Sequence, residues 1–202
     1  AGPALADLIF GKAVPSGKLP VTMPKHVGQI PVYYSHKNTG RPPKDFKLID
    51  DIPVGGGQNS IGFTCYHLDT GATPLYPFGY GLSYTQFEYS VPTLSSDILK
   101  GDGVVTATCQ VTNTGKVDAH EIVQLYVRDV VASLARPMKE LKGFEKIYLK
   151  AGETKAVKFT IKANQLSFWN AEMKEVTEEG VFNLWIAPNS EGGAPVSFKY
   201  QQ

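Results

Sequence analysis

The sequence has few cysteines, almost no net charge and no long apolar run. Two cysteines among 202 residues are too few for a disulfide framework or a cysteine-rich metal cluster. The formal net charge of +1 argues against nucleic acid as the main partner, because phosphate binding usually needs a strong cationic excess. No apolar stretch approaches the roughly 20 residues that cross a bilayer, so we expect no membrane-spanning helix.

The two cysteines, Cys65 and Cys109, leave two arrangements open. A single bridge could join them, or both could be free thiols. The residues around Cys109 alternate between polar and apolar types, as in a half-buried strand, and there a cysteine acts as a small apolar filler. We therefore favour two free thiols.

Glycine and proline are abundant, with 20 and 14 residues, which favours a turn-rich protein made of short strands. The opening residues 1–11 predict a short helix, because Pro3 suits a first helical turn and Gly11 a C-terminal stop. The apolar face of this helix carries Leu5, Leu8 and Ile9. The sequence has no initiating methionine and opens inside this element, so we expect it to be a piece of a longer protein.

From Val14 to about Pro77 prolines and glycines interrupt the pattern repeatedly. Three short strand-like pieces remain, at Leu19–Met23, Val32–Tyr34 and Ile61–Tyr66. So much irregular chain is unusual for a self-sufficient domain. We expect these residues to lie against another body rather than to fold alone.

After Tyr84 strands recur at the spacing of an all-β sandwich. An immunoglobulin or fibronectin type III sandwich, mainly β, is therefore the predicted fold. About seven strands are predicted, near Phe87–Leu94, Val105–Val111, Glu121–Val127, Phe144–Leu149, Lys155–Ile161, Val181–Ala187 and Val196–Tyr200.

Common catalytic and cofactor motifs have no support in the sequence. The stretch from Gly11 to Leu19 has the wrong spacing for a phosphate loop and lacks the Ser/Thr that holds magnesium. No Gly-x-Ser-x-Gly elbow predicts a serine hydrolase. The four histidines show no metal-ligand spacing, so we expect no metal and no cofactor.

Acidic residues that could form a glycosidase pair are present, but spacing along the chain cannot decide which ones would meet. None lies in a context that predicts a shifted pKa, so we interpret them as solvated carboxylates of loops and turns. They are Asp50, Asp51, Asp69, Asp129, Glu178 and Glu179.

Two segments have compositions suited to binding. Residues 32–42 end in a polar, cationic loop that combines donors, acceptors and tyrosine rings, as sugar recognition requires. The candidate substrate-binding residues there are Lys37, Asn38, Thr39 and Arg41; alternatively, Asn38 and Arg41 only pin the loop. The second segment, residues 74–84, is rich in aromatics and glycine. It could be a stacking platform, but we favour a rigid junction with close backbone approach.

Several motifs, in the same order along nearly the whole chain, resemble the C-terminal part of glycoside hydrolase family 3 β-glucosidases. The motifs are Pro15-Ser-Gly-Lys-Leu-Pro20, Val27-Gly-Gln-Ile-Pro-Val-Tyr-Tyr34, His36-Lys-Asn-Thr-Gly-Arg-Pro42, Leu75-Tyr-Pro-Phe-Gly-Tyr-Gly-Leu-Ser-Tyr84, Val111-Thr-Asn-Thr-Gly115, Arg136-Pro-Met-Lys-Glu-Leu-Lys-Gly-Phe-Glu-Lys146 and Leu149-Lys-Ala-Gly-Glu-Thr154.

The resemblance implies that residues 1–84 are the end of an α/β sandwich domain with its linker, and that 85–202 are a fibronectin type III-like domain. It also implies a retaining hydrolase of terminal non-reducing β-D-glucosyl residues, whose catalytic carboxylates lie upstream. No catalytic residue is then expected in this chain, which would serve as scaffold and docking region and as one wall of a substrate site.

The partners implied by the resemblance are a β-glucoside or oligosaccharide, an upstream catalytic barrel and the rest of the α/β domain. A homodimer stays open, and relatives suggest a periplasmic or secreted bacterial enzyme. The alternative is a stand-alone β-sandwich that binds carbohydrate or protein without catalysis. Such a module usually shows an exposed aromatic row, and the sequence predicts none around Trp169 and Trp185.

Overall fold

The computed structural model describes residues 1–38, 41, 47–56 and 66–202. The helix α1 (Gly2–Ile9) opens the chain, and short 3-10 helices span Val27–Gln29, Ile49–Asp51 and Ala163–Gln165. The strands are β1 (Phe87–Tyr89), β2 (Thr93–Leu94), β3 (Ile98–Lys100), β4 (Val104–Asn113), β5 (Ala119–Asp129), β6 (Glu140–Leu149), β7 (Thr154–Lys162), β8 (Phe168–Trp169), β9 (Glu175–Val176), β10 (Gly180–Ala187) and β11 (Val196–Gln201).

The predicted opening helix is confirmed. Pro3 lies in the first turn of α1, and Gly11 follows its end with a φ of +72°, a conformation that glycine adopts without strain. No residue of α1 is buried against the rest of the described chain. Within the described residues, no helix is long and apolar enough to cross a membrane.

Two sheets pack face to face as a β-sandwich, which confirms the predicted fold class. In the first sheet β7 pairs with β4 along one edge, while the short β1 and β2 pair with the other edge. The second sheet has the order β3-β11-β10-β5-β6, with β3 parallel to β11 and the other pairs antiparallel. A small separate ladder joins β8 to β9.

The core lies between the two sheets and follows the alternation read from the sequence. On β4 the side chains of Val105, Ala107, Cys109 and Val111 are fully buried, whereas the residues between them are half-buried or exposed. Cys109 is a free, buried thiol that fills core volume, as predicted. Cys65 lies outside the described residues.

Most sandwich strands lie where the pattern predicts them, with ends shifted by a few residues. The predicted strand Phe87–Leu94 is divided into β1 and β2, because the residues between them include Pro92, which cannot donate a ladder hydrogen bond. The short strands β3, β8 and β9 were not predicted. Each has only two or three residues, which is too short to show a period.

Two strands predicted within residues 1–84, which we call the front segment, are wrong. Leu19–Met23 and Val32–Tyr34 form no ladder, and the first contributes only an isolated bridge from Met23 to Tyr76. Pro20 inside the first piece, Pro24 directly after it and Pro31 directly before the second remove backbone donors. Most of the predicted strand Ile61–Tyr66 lies outside the described residues.

Candidate functional site

Strand β5 carries three buried polar side chains, and two of them contact the front segment. Glu121, Gln124 and Asp129 are 3%, 3% and 7% exposed. Side chains alternate between the two faces of a strand, so Glu121 and Asp129 lie on the core-facing side, near its two ends, and Gln124 on the outer side. Each of the three has a different set of partners.

Gln124 fastens residues 74–84 to the outer face of β5. Its amide nitrogen donates to the carbonyl oxygens of Gly79 at 3.1 Å and Pro188 at 2.7 Å, and its carbonyl accepts from the Tyr126 hydroxyl. A Cβ on Gly79 would lie 2.0 Å from the Gln124 side-chain oxygen, so only glycine fits there. The predicted close backbone approach is therefore confirmed.

Aromatic rings complete this junction. The ring of Phe78 stacks on Tyr34 with centroids 4.3 Å apart, and Tyr34 meets Tyr126 edge-on at 5.8 Å. The Phe78 carbonyl also accepts a 2.9 Å hydrogen bond from the Ser190 backbone. Residues 74–84 thus pack as a junction against the sandwich, as favoured from the sequence.

Glu121 forms a buried ion pair with the front segment. Its carboxylate lies 2.8 Å from the Lys18 ammonium and accepts a 2.9 Å hydrogen bond from the Tyr89 hydroxyl. Burial, reinforced by the charge of Glu121, raises the pKa of Tyr89. The sequence shows Lys18 only within a failed phosphate-loop pattern, and no local signal links it to Glu121.

Replacing Lys18 by methionine is expected to destabilise the chain by about 3 kcal/mol, because it leaves the buried Glu121 carboxylate without its counter-charge. Urea unfolding measures this loss. The matched control is Lys12→Met, at an exposed lysine of the same segment. Adding Glu121→Gln to Lys18→Met should recover part of the loss. If Lys18→Met and Lys12→Met were equally stable, the buried ion pair would be contradicted.

The predicted sugar-binding loop lies beside the segment that leads into β6. Lys37 forms a backbone bridge with Pro137, and the His36 carbonyl accepts a 2.8 Å hydrogen bond from the Met138 backbone. The structure thereby places Asn38 at a cleft, whereas Arg41 is exposed with a φ of +57°. Thr39 lies outside the described residues.

The cleft beside Asn38 has a volume of about 220 Å³ and lies at the end of β5. Its lining residues are Asn38, Arg128, Asp129, Val130, Val131, Ala132, Leu134, Ala135 and Arg136. Three residues after Arg136, Lys139 donates a 2.6 Å hydrogen bond to the Ser190 carbonyl and lies over the Trp185 ring.

Asp129 corrects the expectation that no acidic residue has a shifted pKa. Burial raises the pKa of its carboxyl to about 6, Glu178 and Glu140 add to the rise, and Arg136 opposes it. The Oδ1 atom of Asp129 is buried, and no described residue forms a hydrogen bond with it. The Arg136 Nε atom is also buried and unpartnered, although its Nη2 atom pairs with Glu140 at 3.1 Å.

Asp129→Asn is expected to remove a pH dependence of stability. The folded pKa of about 6 exceeds an unfolded value near 3.9, so the folded state binds more protons and stability falls as pH rises between these values. One pKa unit equals about 1.4 kcal/mol. Because solvent in the open cleft weakens the effect, the free energy of unfolding of Asp129→Asn at pH 8 should exceed that of the parent by about 1 to 2 kcal/mol.

Urea unfolding between pH 4 and pH 8 measures this effect, with Asp102→Asn in an exposed turn as the control. The parent and the control should lose stability as pH rises from about 4 to 6 relative to Asp129→Asn. An identical pH profile for all three proteins would show that the Asp129 carboxyl titrates normally in the folded chain.

The remaining acids and histidines form no second polar centre among the described residues. His26 lies 3.4 Å from the Asp69 carboxylate, and Glu178 caps the Ser133 backbone, which lowers the Glu178 pKa through hydrogen bonds. In the described part of the chain, no three of the histidine, cysteine and acidic side chains are placed to hold a metal ion.

The described chain is a β-sandwich domain that a buried polar junction joins to a proline-rich front segment. Residues 1–84 match the glycosyl hydrolase family 3 C-terminal domain, and residues 121–190 match the fibronectin type III-like domain. The chain belongs to glycoside hydrolase family 3 and corresponds to the C-terminal part of its members.

Its relatives carry glycosidase names. A periplasmic β-glucosidase of Salmonella typhimurium is 51% identical over 94% of this chain and 23% of its own length. A β-xylosidase of Formosa agariphila is 42% identical over 95% of this chain and 24% of its length. The chain therefore spans about a quarter of the length of the curated relatives that it matches.

Solved structures agree with this assignment. A β-glucosidase from Listeria innocua in complex with isofagomine superposes with a TM-score of 0.85 at 36% identity, covering 100% of this chain and 26% of that protein. A D270A variant of the Listeria enzyme, in complex with laminaribiose, gives a TM-score of 0.84 over 98% of this chain.

Proposed function

We propose that this chain is the C-terminal portion of a retaining β-glucosidase that hydrolyses terminal non-reducing β-D-glucosyl residues. The similarity to proteins named β-glucosidases, at 51% and 40% identity over nearly the whole chain, supports the glucosyl specificity. The β-xylosidase relative at 42% identity makes a β-xyloside the most informative competing substrate.

Within that enzyme the chain acts as scaffold and docking region, and the exposed apolar surface of the front segment carries this proposal. Helix α1 has eight residues, too few to be stable alone, and none is buried. Such a surface is expected to pack against another protein body. Its large apolar side chains include Leu5, Ile9, Phe10, Val21, Val27, Ile30, Tyr33, Val54, Leu75 and Leu82.

We place the catalytic carboxylate pair outside these 202 residues. A retaining mechanism needs two carboxyl groups about 5 Å apart on either side of the glycosidic bond. Among the described residues, Asp129 is the one acid with a strongly raised pKa, and the described lining of its cleft contains Arg128 and Arg136 rather than a second acid. That composition suits binding better than acid/base catalysis.

The division into residues 1–84 and 85–202 is part of the same proposal. In it, the front segment continues an α/β domain and the remainder forms the fibronectin type III-like domain. The loop with Lys37, Asn38, Thr39 and Arg41 contributes one wall of a substrate site, supported by the position of Asn38 at the cleft.

An exported location fits this proposal. The relative from Salmonella typhimurium is named as a periplasmic enzyme. We accordingly expect the protein that contains this chain to act outside the bacterial cytoplasm.

Hydrolysis of an aryl β-glucoside tests the proposed activity. The longer protein that contains this chain should release the phenol with retention of configuration, detected by nuclear magnetic resonance of the released sugar, and the 202-residue chain alone should release none. A preference for the β-xyloside would overturn the glucosyl assignment. Turnover by the chain alone that is lost in one acidic-to-amide variant would place a catalytic carboxylate inside it.

Limited proteolysis tests the scaffold role. In the isolated chain, cleavage is expected first within residues 1–84, because in their described part few backbone groups are protected by ladders and many large apolar residues are exposed. Residues 85–202 should resist, and mass spectrometry identifies the fragments. Equal resistance of both parts would contradict the need for a covering body.

A further inference from the structure

The cleft at the end of β5 contains one unsatisfied acceptor and one unsatisfied donor. Both residues that carry these atoms, Asp129 and Arg136, line the cleft. A buried polar atom without a partner destabilises the fold, and more so when the group is charged. Both atoms are closed to solvent as the side chains lie here, and small rotations of the two side chains toward the cleft would let a ligand supply the missing hydrogen bonds.

The neighbouring carboxylates do not share this deficit. Glu178 accepts hydrogen bonds from the Ser133 backbone, at 2.8 Å, and from the Ser133 hydroxyl. Glu140 pairs with Arg136 at 3.1 Å and with Lys142 at 3.4 Å. The unsatisfied Asp129 oxygen therefore does not reflect a general shortage of donors around the cleft.

The charges around the cleft select the chemistry of the ligand. The Asp129 carboxylate disfavours an anion, while the guanidinium groups of Arg128 and Arg136 disfavour a cation. A hydroxyl group both donates and accepts, so neighbouring hydroxyls of a neutral ligand can satisfy the carboxylate oxygen and the guanidinium N–H together. The volume of about 220 Å³ also exceeds the roughly 30 Å³ share of one water molecule.

We propose that this cleft is a saccharide subsite, in which hydroxyl groups of a neutral sugar residue donate to Asp129 and accept from the Arg136 Nε–H, with the Asn38 amide at the rim. The sugar class rests on the proposed glycosidase function, whereas the preference for neutral hydroxyls rests on the cleft alone. The described residues that line the cleft all belong to this chain, so binding there can be tested without hydrolysis.

Titration of the ¹⁵N-labelled 202-residue chain with D-glucose and with methyl β-D-glucoside is the test, followed by nuclear magnetic resonance. The Arg136 Nε–H and Asn38 amide signals should shift saturably. Weak, millimolar binding is expected, because each hydrogen bond to the sugar replaces one to water and contributes little net free energy. Sodium phosphate and ammonium chloride, the charged probes, should leave both signals unchanged.

Asp129→Asn should weaken glucose binding at least fivefold while raising stability at pH 8, so that loss of binding cannot be attributed to unfolding. Asn38→Ala should weaken binding to a smaller extent, and Asp102→Asn, in an exposed turn, should bind as the parent does. Unchanged affinity in Asp129→Asn, or no saturable shift with either sugar, would overturn the subsite, and water would then fill the cleft.

The outcome is separable from that of the proposed function. If the longer protein hydrolyses the aryl β-glucoside but the chain shows no saturable shift, only the subsite is wrong. If the chain binds glucose but the longer protein hydrolyses no glucoside, the subsite stands and the proposed activity is wrong. A phosphate-induced shift that exceeds the glucose shift would replace the saccharide by an anion and also overturn the proposal.

Discussion

Burial of strand β5 on both of its faces is the constraint on which the rest of this structure depends. A sandwich strand ordinarily turns one face to the core and the other to water. In β5 every residue from Val123 to Val127 is buried, because the opposite sheet covers one face and the front segment covers the other. The irregular first part of the chain thus covers the outer face of β5 within the second sheet.

Polar groups rather than apolar packing alone give that layer its position. Gln124 accepts one and donates two hydrogen bonds at the junction, and the space above it admits only a glycine backbone at position 79. Lys18 extends the attachment to one end of β5 through Glu121. Hydrogen bonds and ion pairs have strict geometry, so they fix a register that apolar contacts would leave open.

The two acids at the ends of β5 have contrasting surroundings despite lying on the same face of one strand. Glu121 has a lysine and a tyrosine hydroxyl as partners, whereas Asp129 retains a buried oxygen with none. The first arrangement is typical of a structural contact. The second, at the edge of an open cleft, is typical of a site prepared for a ligand.

The sandwich could be predicted from the sequence, but the site could not. The long strands β4 and β7 show two-residue alternation over eight or more residues, which is detectable in the local sequence pattern. The prediction for Leu19–Met23 was wrong because the backbone bonds of this piece go to residues 75–80 across a long loop. The pairing of Lys18 with Glu121 spans 103 residues. The pKa of Asp129 is raised by burial and by the charge of Glu178, which is distant along the chain, so neither feature leaves a local signal.

The buried thiol of Cys109 gives the sandwich an internal chemical probe. Its side chain is fully covered, and burial raises its pKa, so the reactive thiolate is scarce as well as inaccessible. An alkylating reagent can reach this sulfur only when β4 separates from the opposing sheet. The rate of modification at this one atom therefore follows the opening of the domain interior, in a protein whose native contacts need no alteration to report it.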